Sequence, residues 1–261
     1  MSNQLQGRVA LITGAASGLG RAFAEALAAE GACVVIDDID EAGGKETEQR
    51  ILIAGGAATF HRADISSSEE VQGLIGTTIA QQGRVDILIN NAGVQHISPI
   101  HEFSEEKWHQ LIGVMLTGPF LTTKYALPHM IAQKRGRIIN ISSTQGLVAS
   151  EFKAAYVAAK HGILGLTKVT ALEGARHNIT AVAVCPSYVR TPLAEMQIAG
   201  QAQYHGISEE QVTERLMLAP AALKRLLEPS EVAALVLYLC SDSAHAITGT
   251  AIAIDCGWTA R

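Results

Sequence analysis

A chain of 261 residues, 48% hydrophobic and 17% charged, is long enough to enclose a substantial core and carries no compositional mark of disorder. The net charge of −5 and the lack of a basic stripe argue against a nucleic-acid partner. The densest basic run, Lys134-Arg135-Gly136-Arg137, reads as a solvated loop ahead of a strand. No apolar stretch approaches bilayer-spanning length, and residues 1–6 lack the charged and apolar regions of a signal peptide. The expectation is therefore no membrane and a cytoplasmic location. Cys33, Cys185, Cys240 and Cys256 are scattered, mostly in apolar runs, and read as reduced core residues. The nine histidines show no metal-ligand spacing, so no metal is expected.

Short apolar, β-branched runs predict strands at residues 9–13, 33–36, 58–61, 87–90, 137–142, 180–185 and 251–255. They are continuous rather than alternating, as parallel strands covered on both faces require. Helical patterns lie between them, for example over residues 20–30, where Ala, Phe and Leu recur at spacings of three and four. Alternating strands and helices with right-handed crossovers predict one doubly wound, parallel, seven-stranded α/β sheet, helices on both faces, in a single domain over residues 1–261. The long break at residues 197–229 reads as a helical insertion, placed at the sheet's carboxyl edge where mobile lids commonly sit.

The first strand runs into Thr13-Gly14-Ala15-Ala16-Ser17-Gly18-Leu19-Gly20 and then a helix. Glycines there let the backbone turn tightly and approach a pyrophosphate, whose charge the helix N-terminus stabilises. The second strand ends in Asp37-Asp38, about twenty residues on, where an acidic side chain can accept hydrogen bonds from adenosine ribose hydroxyls. Either aspartate could be the ligand, and Asp38 is favoured. A carboxylate there repels the extra phosphate of NADP, so the expected cofactor is NAD. Asp64, after the third strand, is placed to meet adenine, although an N-cap would use it equally well.

Asn90-Asn91-Ala92-Gly93 follows the fourth strand, Ser143 the fifth, and Tyr156-Val157-Ala158-Ala159-Lys160 opens a helix. Tyr and Lys four apart share a helical face, and a nearby ammonium is expected to lower a phenol pKa that is otherwise about 10. Ser143 would hold the substrate oxygen while Tyr156 exchanges its proton and a nicotinamide exchanges a hydride. Lys153, three residues before Tyr156, is close enough to counter an anionic substrate. Gln95 follows the turn at the carboxyl edge, where open α/β sheets bind ligands.

Taken in this order, the Gly-rich turn, Asn-Asn-Ala-Gly, Ser143 and Tyr156-x-x-x-Lys160 resemble the short-chain dehydrogenase/reductase family across essentially the whole chain. The resemblance implies a Ser143–Tyr156–Lys160 catalytic site and a homotetramer. It also implies cofactor contacts from Gly14, Ser17, Gly18, Leu19, Gly20, Asp38, Asp64, Asn91, Ala92, Gly93, Tyr156, Lys160, Pro186, Val189 and Thr191. Asn91-Ala92-Gly93-Val94-Gln95-His96, Gly146-Leu147-Val148-Ala149-Ser150, Thr191-Pro192-Leu193 with Gln197, and the ending Gly257-Trp258-Thr259-Ala260-Arg261 look like bacterial D-3-hydroxybutyrate dehydrogenases. That likeness implies Gln95, Lys153 and Gln197 on the substrate carboxylate, Trp258 closing the pocket, and Ser143, Gln145 and Tyr156 completing its lining.

The chain also departs from the family. Met115 stands where an asparagine usually supports a proton-relay water, and Gln145 where the hydroxybutyrate enzymes carry a histidine. Val182 and Ser187 replace an Asn and a Gly common in the N-A-x-x-P-G stretch at the sixth strand, and Cys256 replaces the first Gly of the usual D-G-G-W ending. The leading expectation is reversible NAD-dependent oxidation of (R)-3-hydroxybutyrate to acetoacetate. Two alternatives stay open: a related dehydrogenase acting on a neutral hydroxy or sugar substrate, and a non-catalytic dinucleotide-binding protein.

Overall fold

The computed structural model describes residues 3–260; Met1, Ser2 and Arg261, the last residue of the Trp258 ending, lie outside the described residues. Seven parallel strands form one sheet in the order β3-β2-β1-β4-β5-β6-β7. They are β1 (Val9–Thr13), β2 (Cys33–Asp37), β3 (Ala57–His61), β4 (Ile87–Asn90), β5 (Gly136–Ile141), β6 (Ile179–Pro186) and β7 (Ala251–Ile254). All seven fall on the predicted runs, with ends shifted by one residue at most.

Among the described residues nine α-helices accompany them: α1 (Gly18–Ala29), α2 (Glu41–Ile53), α3 (Ser68–Gln82), α4 (Glu105–Ile112), α5 (Gly118–Ala132), α6 (Ala154–Gly174), α7 (Pro192–His205), the single turn α8 (Glu209–Gln211) and α9 (Pro229–Cys240). Among the described residues no helix is long and apolar enough to cross a membrane. The strands alternate their side chains between two cores because the pleat has a period of two. Ala10, Ile12, Val34, Ile36, Ile89 and Val184 face one way, onto Phe23 and Leu27 of α1 and Val232 and Val236 of α9. Leu11, Val35, Leu88 and Ile138 face the other, onto Leu74 and Ile75 of α3 and Leu121 and Met130 of α5. Both faces are thus covered, which is why the strands read as unbroken apolar runs.

The insertion starts earlier than expected. Thr191 is in extended conformation, its hydroxyl accepts from the Ala194 amide, and Pro192 occupies the first turn, so α7 begins at Pro192 and not at residue 197. The basic run before β5 also differs from its reading as a solvated loop. Arg137 is wholly buried, with Nη1 donating to the Gly136 carbonyl, and Arg135 pairs with Asp242. Arginine tolerates this because its carbons pack while its fork still finds oxygen.

One buried carboxylate fastens the amino edge of the sheet. Asp86, just before β4, accepts from the Val9 amide at 2.9 Å and from Arg84 Nε at 2.7 Å, with Arg8 at 3.9 Å. Removing it strands the Val9 N–H in the core and leaves two guanidinium groups facing each other. Asp86→Ala is expected to cost about 3 kcal/mol in urea unfolding, and Asp86→Asn, which keeps an acceptor, distinctly less.

Candidate active site

The cleft opens at the carboxyl edge of the sheet, above the neighbours β1 and β4, where strand order reverses. Ligands of open α/β sheets bind at such switch points because the connections on either side leave in opposite directions. Gly14 takes φ +65, and a Cβ there would lie 2.6 Å from the Ala92 Cα, so the turn after β1 can press on the turn after β4 only as glycine. Gly20 lies beneath the cleft and does not line it. Its missing Cβ would sit 2.1 Å from the Gly14 carbonyl oxygen, which sets how closely α1 approaches the turn. Asn91 closes the junction: its Nδ2 donates to the carbonyls of Thr13 at 3.0 Å and Gly14 at 2.9 Å. In return, Thr13 Oγ1 accepts from the amides of Asn91 and Ala92.

Gly14, Ser17, Gly18 and Leu19 line one end of the cleft, with Asp38 and Asp64 beyond them and Asn91, Ala92 and Gly93 across from them. Ser17 is the N-cap residue of α1 but its hydroxyl makes no capping bond, so the first amides of the helix face the cleft without a side-chain acceptor. A pyrophosphate fits this arrangement of open turn and helix N-terminus. Asp38 Oδ2 accepts from the Ala16 amide at 2.9 Å and Oδ1 from the Asp40 amide at 3.0 Å, which fixes its carboxylate at the rim. Asp37 behaves differently. It is buried and neither carboxyl oxygen has a well-formed hydrogen bond. Burial first, and then the charge of Asp38, holds its pKa well above the usual carboxylate range, while the Ala63 amide pulls weakly the other way.

The other end holds the catalytic candidates. Ser143 follows β5, and its Oγ accepts from the Gln145 amide at 3.1 Å. Tyr156 and Lys160 project from the first two turns of α6 into the same cleft. Burial pushes the Tyr156 phenol up to about 12, with the Ser143 hydroxyl opposing the shift. Lys160 is brought down to about 8, also by burial. Its Nζ donates to the Ile141 carbonyl at 2.7 Å and lies 5.5 Å from the Tyr156 ring centroid. The expected lowering of the phenol by Lys160 is not seen: loss of water raises it, and the Ser143 hydroxyl, not Lys160, is what opposes the rise.

Pro186 at the end of β6 and Val189 and Thr191 in the loop after it line the cleft, as does Ser187, whose amide donates to the Ile254 carbonyl. Gln95, Gln145, Lys153 and Gln197 converge around the Ser143–Tyr156 end. Gln95 Nε2 and both amide atoms of Gln145 are buried without partners. Lys153 is buried too, its pKa lowered to about 8 by burial, and Nζ donates to the Tyr188 hydroxyl at 3.2 Å. Just before it, Phe152 adopts φ +65 and stacks against Tyr204 of α7.

Trp258, like Gly20, is a predicted site residue that the structure does not bring to the cleft. Its Nε1–H donates to the Met217 carbonyl, below the insertion, so it braces that segment and does not touch the opening. Met115 sits in a π-helical turn, Gly113–Thr117, between α4 and α5 and packs with Leu111, Ala155 and Tyr156. Its thioether supports the catalytic helix by apolar contact. Cys256 occupies a left-handed turn at φ +56, a conformation that glycine adopts freely and that costs more for a residue with a Cβ. Among the lining residues that escaped the sequence reading are Tyr188 and the apolar Ile39, Ile65 and Val114. Tyr188 adjoins Ser187, but its place opposite Lys153 depends on packing between the β6 loop and the start of α6.

The sequence profile of the short chain dehydrogenase family matches residues 8–202. The chain belongs to that family. It is 42% identical over 98% of its length to the whole of a D-beta-hydroxybutyrate dehydrogenase from Cupriavidus necator. It is also 44% identical over 97% of its length to 99% of one from Rhizobium meliloti. A cyclohexanol dehydrogenase from Acinetobacter is 35% identical, with all of this chain and 98% of that protein aligned. Members of the family are oxidoreductases that bind nicotinamide dinucleotides, and the open helix N-terminus and the glycine turn suit that class of cofactor.

The buried Asp37 carboxyl has a consequence for stability. Its folded pKa exceeds its unfolded value of about 4, so the folded state binds the proton more tightly. Stability from this group is full at low pH and lost as pH rises above the unfolded value. Asp37→Asn, neutral at every pH, is expected to raise the melting temperature at pH 7–8 by roughly 3 °C or more. The gain should vanish on acidification toward pH 4, as followed by scanning calorimetry.

Proposed function

We propose that the protein catalyses the reversible, NAD-dependent oxidation of (R)-3-hydroxybutyrate to acetoacetate. The observation that carries this reading is the buried Lys153 ammonium, which has no carboxylate partner among the described residues and faces the unpaired donors of Gln95 and Gln145. A buried cation without a counter-ion is costly, and a small anion supplied by the substrate would offset that cost. The curated names of the Cupriavidus and Rhizobium relatives agree with a short hydroxy acid.

In this reading, oxidised nicotinamide dinucleotide serves as the hydride acceptor. Ser143 orients the substrate hydroxyl through Oγ; Tyr156 Oη, as the phenolate, takes the hydroxyl proton on oxidation and, as the phenol, returns it on reduction. Lys160 supports Tyr156 electrostatically and serves as the ribose ligand. Gln95, Gln145 and Gln197 hold the acid end with Lys153, and Trp258 steadies the insertion from below. The carboxylate of Asp38, held rigidly at the rim with Asp64 beyond it, supports NAD over NADP, because a ribose phosphate would face like charge. The reading includes self-association as a homotetramer, supported by the exposed apolar side chains Phe120 of α5 and Val169 and Leu172 of α6.

The test is NADH formation followed at 340 nm, with the S acid, cyclohexanol and NADP as controls. Turnover confined to the R acid with NAD is the expected result; turnover of the alcohol without the acid overturns the substrate assignment. Lys153→Ala should raise KM for the acid about 30-fold, equivalent to ~2 kcal/mol, and leave KM for a neutral alcohol nearly unchanged. Because Lys153 loses its proton near pH 8, KM for the acid should climb as pH passes that value.

A further inference from the structure

Tyr188 stands opposite Lys153 on the loop after β6, and neither the family pattern nor the likeness to hydroxybutyrate enzymes drew attention to it. Its backbone is fixed: the Tyr188 carbonyl accepts from the Leu227 amide at 2.9 Å, and Val189 forms a parallel bridge with Leu227. Its ring lies under the Lys153 ammonium, 5.2 Å from Nζ to the centroid, and its hydroxyl accepts from that ammonium at 3.2 Å. An oxygen that accepts from Lys153 still owns a proton, and that proton has no acceptor among the described residues. Tyr188 is also near enough to Tyr156 that a charge on either phenol opposes ionisation of the other. The phenol therefore bridges the cationic end of the pocket and the proton-transfer end.

We propose that Tyr188 is a positioning residue that donates its hydroxyl proton to the substrate carboxylate while holding Lys153 against the same group. This rests on the hydroxy-acid reading above and adds to it a second, neutral donor for the acid. Lys153 alone is a point charge that would accept a carboxylate from many directions. A phenol held by its backbone, by the ring–ammonium contact and by the hydrogen bond supplies direction, and so sets how far the reacting carbon lies from the carboxylate. Burial pushes the Tyr188 phenol up to about 12, which keeps it a hydrogen-bond donor throughout the working range of pH. It follows that the site discriminates by the distance between acid and hydroxyl, favouring a 3-hydroxy acid over a 2-hydroxy acid.

Tyr188→Phe tests this, because it keeps the ring under Lys153 and removes only the hydroxyl. Steady-state kinetics with (R)-3-hydroxybutyrate, lactate and cyclohexanol should be measured from pH 6 to 10 on wild type and variant, with NADH binding by fluorescence confirming an intact fold. The expected result has three parts. KM for the 3-hydroxy acid rises about tenfold with kcat within twofold, its preference over lactate shrinks, and KM for cyclohexanol does not move. In addition, the rise of KM with pH that reports Lys153 shifts to lower pH, since the ammonium loses an acceptor. An unchanged KM and an unchanged pH profile would overturn the role of Tyr188 while leaving the hydroxy-acid reading standing. A fall in kcat at constant KM would overturn it too, by placing the phenol at the reacting carbon. Wild-type protein that ignores both acids but oxidises the alcohol would remove the reading on which the proposal rests.

Discussion

The close contact between the turns after β1 and β4 is the constraint on which the site depends. Gly14 and Ala92 approach to a distance no side chain would permit, and Asn91 and Thr13 lock them with four hydrogen bonds across the switch in strand order. With those turns fixed, the N-terminus of α1 is aimed along the cleft on one side. On the other, the chain after Gly93 carries Gln95 toward α6. A second polar chain extends the same rigidity inward: Thr122 donates to Asn90, Asn90 to Asn140 and Asn140 to Thr167, tying α5, β4, β5 and α6 through the core. Fully paired networks of this kind specify one arrangement of the elements they join.

Water exclusion then decides the ionisation of nearly every group that matters. Lys153 and Lys160 are both drawn down to about 8, Tyr156 and Tyr188 are both pushed up to about 12, and Asp37 is held toward its neutral form. In each case burial is the first cause, ahead of any neighbour. Burial thus keeps both phenols protonated and leaves both lysines close to losing their charge at neutral pH. An incoming anion meets ammonium groups that gain more from it than solvated lysines would.

The sheet was legible because parallel strands buried on both faces leave uninterrupted apolar runs, and the Gly-rich turn and Tyr156-x-x-x-Lys160 are local patterns with one geometric meaning. The limits of the insertion were less legible: the break between strand patterns reads from residue 197, while the cap at Thr191 and Pro192 set the true start. Asp37 and Asp38 are neighbours in sequence and could not be told apart until the pleat sent one side chain inward and the other to the rim. The burial of Arg137, the displacement of Trp258 from the cleft and the meeting of Tyr188 with Lys153 all arise between segments distant in the chain. No window of sequence displays them.

The open N-terminus of α1 carries a thermodynamic implication. Most helices of this protein that begin near the surface, among them α2, α3, α4 and α7, receive a side-chain cap. The N-terminus of α1, where the phosphates would sit, does not. The dinucleotide's phosphates would serve as the missing cap, so the polypeptide and its cofactor share one folding unit. Thermal resistance should then be a property of the loaded protein, growing with the logarithm of free cofactor at about 1.4 kcal/mol per decade once the site is saturated.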